Sequence, residues 1–210
     1  MMNEITIIGI AGASGAGKSS LAHAMVSRLQ KRYGEDQVVL LHEDAYYRSR
    51  DDLTFEQRER INYDHPDALE HSLMLEHLDA LRQGQIVKIP QYDYAIHNRL
   101  PNTLPLTPPR LLVVEGILVL HDVEIRSRLD LRLFVDVPLD VCLGRRIERD
   151  VNQRGRTVDS VLEQFRNTVR PMYFQYIEPT RQQADMIVPG GGENEKALEV
   201  IISHLETVLT

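Results

Sequence analysis

The chain has 210 residues, of which 42% are hydrophobic, and a formal net charge of −7; that length fits one α/β core, a single domain over 1–210, with little left for a second. A phosphate-backbone binder normally presents a basic surface, so the acidic balance argues against general nucleic-acid binding and makes any cationic site local. The lone Cys142 excludes an intramolecular disulfide, the N-terminus has no signal-peptide pattern, and no apolar run is long enough to span a bilayer, which together point to a cytoplasmic protein without a membrane partner.

Ile5, Ile7, Ile8 and Ile10 read as a buried strand, and Leu21, Ala22, Met25, Val26 and Leu29 recur at helical spacing up to a stop at Gly34. Between them lies Gly12-Ala13-Ser14-Gly15-Ala16-Gly17-Lys18-Ser19, followed by Ser20. This G-x-x-x-x-G-K-S spacing is a phosphate cradle. The glycines let backbone N–H groups turn inward onto phosphate oxygens at a helix N-terminus, Lys18 reaches the outer phosphates, and the Ser19 hydroxyl suits Mg²⁺. Residues 12–20 are therefore the expected nucleotide-binding stretch.

Val38 to Leu41 form a second strand ending in His42-Glu43-Asp44-Ala45-Tyr46-Tyr47, which places Asp44 beside the ligand crevice of a parallel sheet. His42-Glu43 does not open a zinc helix, because Tyr46 stands where H-E-x-x-H needs histidine. Asp67 with Glu70 resembles an N-cap box for a helix through Leu69, Leu73, Leu78 and Leu81 to Gly84. Ile86 to Tyr94 reads as a strand, and the prolines at 101, 105, 108 and 109 punctuate its return, so about 86–107 is expected to be a β-hairpin insertion.

Leu111 to Val114 form a buried strand closing in Glu115, where a metal-associated carboxylate belongs. After the strand Leu131 to Val137, Pro138 starts a helix with Leu139, Cys142, Leu143, Ile147 and Val151 as its packing side, Cys142 being packing and not a nucleophile. Arg145, Arg146 and Arg149 fall on another face, and Arg154 and Arg156 follow. Five arginines in a dozen residues of an acidic chain suit a transferring phosphoryl group, although pairing with Glu148 and Asp150 on a solvated face accounts for at least one or two of them. A helix through Val158, Val161, Leu162, Phe165 and Val169, a short strand Met186 to Val188, the glycines at 190–192 and a helix from Leu198 to Leu209 complete an α/β pattern. No repeat or low-complexity segment interrupts it. Alternating apolar strands and helices imply a parallel sheet covered on both faces.

The absence of N-K-x-D and D-x-x-G argues against a GTPase, and the chain is short for a mechanical ATPase. A small-molecule kinase remains. The segments GASGAGKSS, EDAYYR, NYDHPDA, QYDYAIH, VVEGIL, RRIERDVNQRGR and ADMIVP, in that order over nearly the whole chain, resemble the uridine kinase (uridine-cytidine kinase) family. The resemblance implies a P-loop NTPase-like sheet of about five parallel strands with a hairpin insertion and an arginine-rich lid at about 145–170. It implies transfer of the γ-phosphate of ATP or GTP, with Mg²⁺, to the 5′-hydroxyl of uridine or cytidine.

Residue by residue, Asp44 then matches the catalytic carboxylate, and Tyr47 the tyrosine of the same D-x-x-Y segment. Asp64 matches the acceptor of the ribose diol, Tyr63 and Tyr94 the aromatics flanking the base, and Tyr92 and His97 the readers of its C4 edge. On spacing alone His97 is an exposed loop histidine. Arg146 matches an arginine near ribose and phosphates, Arg149 and Arg154 phosphate-side arginines, and Arg156 with Gln164 base-side contacts; Lys18 and Arg149 join Asp44 as catalytic, and Ser19 and Glu115 as metal-associated. The family also implies a homotetramer, a place in pyrimidine salvage and inhibition by CTP. Two departures stand out: Gly190, where an arginine is expected, and the wording Gln91-Tyr92-Asp93. The rival readings are a phosphoribulokinase- or pantothenate kinase-type enzyme and a non-catalytic nucleotide-binding regulator.

Overall fold

A computed structural model describes residues 5–209, so residues 1–4 and 210 of the expected domain lie outside the described residues. In chain order the P-loop half comprises β1 Thr6–Gly12, α1 Lys18–Tyr33, β2 Val38–His42 and the short α2 Phe55–Arg58, then α3 His71–Arg82. The hairpin strands β3 Val87–Asp93 and β4 Asn98–Leu106 follow, then β5 Leu111–Glu115, α4 Val123–Ser127 and β6 Leu131–Asp136. The chain closes with α5 Leu139–Arg154, α6 Val158–Gln164, α7 Arg170–Met172, β7 Met186–Pro189 and α8 Glu195–Leu209.

Five strands form a parallel sheet in the order β2-β5-β1-β6-β7, as the alternation of apolar strands and helices predicts. Every residue of β5 is buried, because both faces of the sheet are covered. The register sets His42 opposite Glu115 and Glu115 opposite Ile10, so the carboxyl ends of β2, β5 and β1 meet at one rim. This rim is where open α/β sheets bind ligands. The antiparallel pair β3–β4 is a separate hairpin with an irregularity between Pro90 and Tyr92. Its strands lie within the expected 86–107, and Ile86 is exposed outside them.

Two local expectations are corrected. Asp67 and Glu70 do not form an N-cap box: residues 66–68 make a 3₁₀ turn in which His65 Nδ1 accepts the Asp67 N–H at 3.2 Å, and α3 starts only at His71. The Glu70 carboxylate is drawn away by Arg99 Nη1 at 2.6 Å, and the Glu70 N–H is donated to the Tyr46 carbonyl at 2.8 Å. The chain around Glu70 therefore ties down the turn that bears Asp44.

In α5 the buried positions are Cys142, Arg146 and Asp150, at i, i+4 and i+8, while Val151 is exposed and Leu139, Leu143 and Ile147 are only half-buried. Of the side predicted to pack, Cys142 alone is fully buried, and the most buried line of the helix runs on through Arg146 and Asp150. The inner side lies on the phosphate loop so closely that a Cβ on Gly15, which has φ +89°, would sit 2.5 Å from the Cys142 carbonyl. A helix seated on a phosphate loop turns its cations inward, against the usual binary pattern. Cys142 does pack, fully buried, with its Sγ directed at the Val137 carbonyl and its thiol pushed up by burial.

The helix expected to end near Val169 continues. Wide turns of π type at 165–169 and 173–177 flank α7, and a 3₁₀ stretch carries the chain to Gln183. Pro171 has no N–H to donate to the preceding turn, and the Arg170 N–H reaches back five residues to the Phe165 carbonyl.

Candidate active site

The phosphate loop leaves β1 at the sheet rim and enters α1 through Gly17, whose φ of +91° is left-handed. Lys18 is 7% exposed, and its Nζ donates to the Ala13 carbonyl at 3.1 Å, so the ammonium folds back over the loop. Burial lowers its pKa, while Glu115, Asp44 and Glu43 act to hold the charge. Ala13, Ser14 and Ala16 lie in the loop, and Ser20 follows in the first turn of α1.

The loop after β7 closes over this cradle. Gly191, at φ +67°, comes so near that a Cβ would lie 2.4 Å from the Ala16 carbonyl, and one on Gly192 would lie 2.6 Å from Ser20 Cβ. Gly190 stands in more open space, its nearest neighbour to a built Cβ being Asn194 at 3.9 Å. Arg145 clamps the two loops, donating to the Ala16 carbonyl at 3.3 Å and pairing with Glu193 at 3.0 Å. The sequence pattern marked the glycines without revealing this contact.

Two acids come to the same rim. Ser19 Oγ donates to Glu115 Oε1 at 3.1 Å, and His42 Nδ1 lies 2.6 Å from that same oxygen. The Glu115 bond pushes the His42 pKa up, against desolvation. Burial works to raise the Glu115 carboxyl, but His42, Lys18 and Ser19 together hold it below the usual range. A hydroxyl and an anionic oxygen beside the phosphate loop fit Mg²⁺, which takes hard oxygen donors and leaves several positions to phosphates and water. Among the described residues no larger cluster of His, Cys, Asp and Glu forms a metal cage.

Asp44 sits on the 3₁₀ turn after β2 and accepts a 2.6 Å hydrogen bond from the Tyr94 hydroxyl. Part of the residue meets solvent, yet its packed surroundings desolvate the carboxylate and raise its pKa; the Tyr94 bond opposes this, and Glu115 adds to it. Tyr94→Phe keeps the ring but removes the donor that favours charged Asp44. The Asp44 pKa then rises further, so the acid limb of kcat/KM is expected to move to higher pH. A pH profile in which the limb stays or moves down contradicts that assignment of the limb.

The aromatic residues gather on the hairpin side. Tyr47 meets Tyr63 at 5.1 Å and Tyr92 at 5.0 Å between ring centroids, and Tyr92 meets Tyr94 at 5.3 Å. His97 stacks on Tyr63 at 5.5 Å and 23°, holding φ +49°, the one positive non-glycine φ among the described residues. Such strain needs support. Arg58 on α2 supplies it, donating to the Ile96 carbonyl at 3.1 Å, while the Tyr63 hydroxyl donates to the Arg58 carbonyl at 3.1 Å. Desolvation lowers the His97 pKa and favours the neutral ring. The Tyr92 hydroxyl is buried with no hydrogen-bond partner of normal geometry among the described residues, and burial, then Tyr63, pushes its pKa upward. A cavity of about 420 Å³ between the end of β2 and the hairpin reaches Asp44, Tyr92 and Tyr94 but is not lined by Asp64, Tyr63 or His97.

Asp64 is only 8% exposed, and desolvation raises its pKa against the pull of Arg146, Lys18 and Arg149. Arg146 donates to Ser14 Oγ at 2.5 Å and to Gln164 Oε1 at 2.8 Å; Arg156 reaches that same Gln164 oxygen. Arg154 lies over the Tyr94 ring at 5.0 Å. The organiser of these cations is Asp150, which is fully buried. Its carboxylate meets Arg149 at 2.8 Å, Arg154 at 3.6 Å and Arg146 at 3.7 Å, and although burial opposes its charge the arginines hold its pKa low. In the sequence pattern Asp150 stands only as a surface partner; its i−4 and i+4 arginines, Arg146 and Arg154, are the signal of its buried role.

Together these parts define a class: a phosphotransferase built on a P-loop, with acids at the sheet rim beside the loop and a ring cluster on the hairpin side. A sequence model of the Phosphoribulokinase / Uridine kinase family matches residues 7–197, and the chain belongs to that family. The chain is 48% identical over 199 residues to the uridine kinase of Proteus mirabilis, with 95% of this chain and 93% of that one covered. It is 47% identical over 199 residues to the uridine kinase of Escherichia coli K12, again covering 95% of this chain and 93% of that one. In fold it is similar to a possible uridine kinase from Bacillus stearothermophilus, at a TM-score of 0.58 and 16% identity over 90% of each chain.

Proposed function

We propose that this chain transfers the γ-phosphoryl group of ATP or GTP to the 5′-hydroxyl of uridine or cytidine, giving UMP or CMP. The observation that carries the reading is the meeting at one sheet rim of the Lys18 cradle, the Asp44 turn and the hairpin aromatics. Its substrate side draws support from relatives named uridine kinase that match almost the full chain.

In the reaction, Asp44 accepts the proton of the 5′-hydroxyl as the new O–P bond forms and the bond to the leaving nucleoside diphosphate breaks. Because the transition state for such transfers is loose, Asp44 acts first by orienting the hydroxyl and takes its proton late. Lys18 and Arg149, with Arg154, balance charge on the transferring group. Ser19 and Glu115 would hold Mg²⁺, which would supply charge neutralisation to the phosphate oxygens. Backbone N–H groups of residues 12–20 hold the phosphates.

Asp64 takes the ribose diol, and Tyr63 and Tyr94 flank the base with Tyr47 packed behind them. Tyr92 and neutral His97 each donate or accept, so they serve the carbonyl of uracil and the amino group of cytosine alike. Arg146, Arg156 and Gln164 close the lid over the nucleoside. The family resemblance supports one domain over 1–210 acting as a cytoplasmic homotetramer in pyrimidine salvage, with CTP as inhibitor. No helix among the described residues is long and apolar enough to cross a membrane.

The ribose assignment has its own test. A buried carboxylate that loses one of two hydroxyl donors is left partly unpaired, so the parent enzyme should prefer uridine to 2′-deoxyuridine. Asp64→Asn should lower kcat/KM for uridine by about 10- to 100-fold and collapse that preference toward unity. An unchanged preference in the variant removes Asp64 from the ribose site.

A further inference from the structure

The acid next to Asp44 has no part in the reaction as proposed, yet it is fully buried. Glu43 begins the 3₁₀ turn that bears Asp44, and its side chain runs under the turn that follows Glu115. There Oε2 accepts the Leu118 N–H at 2.9 Å, and Oε1 lies 3.0 Å from His71 Nε2. His71 Nδ1 in turn lies 3.7 Å from Asp122 Oδ2, so the imidazole is held between two carboxylates.

The fit leaves no room for a side chain at position 116. A Cβ on Gly116 would fall 2.1 Å from Glu43 Oε2 and 2.3 Å from its Cβ. The Gly116 N–H is itself donated to the Ile10 carbonyl of β1 at 3.1 Å. One buried carboxylate thus joins the Asp44 turn to the end of β5, and through it to the strand that feeds the phosphate loop. Burying a carboxylate is costly unless it is paired and hydrogen-bonded, and here both oxygens are used. Tyr46, at the other end of the turn, is anchored to Glu70 and Arg99 but not to the phosphate side.

We infer that Glu43 is a positioning residue that fixes Asp44 relative to the phosphate loop through its bonds to Leu118 and His71. The inference rests on the role proposed for Asp44. Being fully buried, Glu43 itself touches no substrate.

The test compares Glu43→Gln, Glu43→Asp and Asp44→Asn by kcat and by KM for each substrate. Glutamine keeps the reach and can still accept from Leu118 and donate to His71. Aspartate is one methylene short and cannot meet both without dragging the turn. Misplacement of a reacting group by about 1 Å costs roughly 10²-fold, so Glu43→Asp should lose about 30- to 100-fold in kcat with both KM values within about threefold, and Glu43→Gln should recover to within about fivefold of the parent. Parental kcat in Glu43→Asp, or equal losses in Glu43→Gln and Glu43→Asp, overturns the inference. If Glu43→Asp fails to bind nucleotide, His71→Gln, which frees one oxygen only, should lower kcat without raising either KM, and parental kcat there overturns it too. Near-parental turnover of Asp44→Asn discards the role of Asp44 and the inference with it. A silent Asp44→Asn beside a fully active Glu43→Asp discards the inference alone.

Discussion

Asp44→Asn is expected to bind nucleotide and acceptor as the parent does and to lose about 10³-fold in kcat, within the range for removing a positioned acid–base group. Asparagine keeps the size of the side chain and can still accept the Tyr94 hydroxyl, so the turn and the hairpin contact survive. What it lacks is a basic oxygen for the 5′-hydroxyl proton. The direction of the Asp44 pKa shift strengthens the argument: burial raises it from the ordinary carboxylate value, making the group a better base as long as it is ionised. Steady-state kinetics with separate KM values check the split. A variant with parental kcat, or one whose loss lies wholly in KM, contradicts the assignment.

The second large effect is on the donor side. Lys18→Ala removes a buried ammonium that donates to the Ala13 carbonyl of its own loop. Three carboxylates, Glu115, Asp44 and Glu43, bear on that position, so its loss leaves their charge unbalanced where anionic phosphates must enter. Triphosphate affinity and kcat/KM for the donor should both fall, the latter by about 10²- to 10³-fold or more, as for loss of a preorganised charge-stabilising donor. Titration calorimetry with the nucleotide and initial rates measure the two. Acceptor binding alone should be nearly unchanged, since the aromatic residues lie on the hairpin side; parental donor affinity contradicts the role given to Lys18.

The phosphate loop was legible because its chemistry is local: eight consecutive residues and their strand and helix flanks specify it. The same holds for Asp44 at the end of an apolar strand, and for the hairpin, whose strands fall inside the expected span. What escaped the sequence is chemistry made by distant residues meeting in space. Glu43 looked like half of a failed zinc motif, because its partners Leu118 and His71 are 75 and 28 positions away. His42 shares the Glu115 oxygen used by Ser19 for the same reason.

Helix α5 misled in another way. Its leucines and Ile147 form the stripe that amphipathic packing normally buries, yet they are only half-buried, while the phosphate loop lies against the neighbouring line at Cys142 and Arg146 and the buried charges of the helix are Arg146 and Asp150. Local rules fail where a site needs charge inside. The start of α3 shows a milder version, since a sequence-local cap gave way to the tertiary pair Glu70–Arg99.

Nucleoside diphosphate release with Mg-ATP across uridine, cytidine, adenosine, ribulose 5-phosphate and pantothenate tests the acceptor pocket of this P-loop kinase. Turnover confined to uridine and cytidine is expected. Turnover with ribulose 5-phosphate or pantothenate in their place would contradict the acceptor pocket, and silence across all five would contradict the kinase itself.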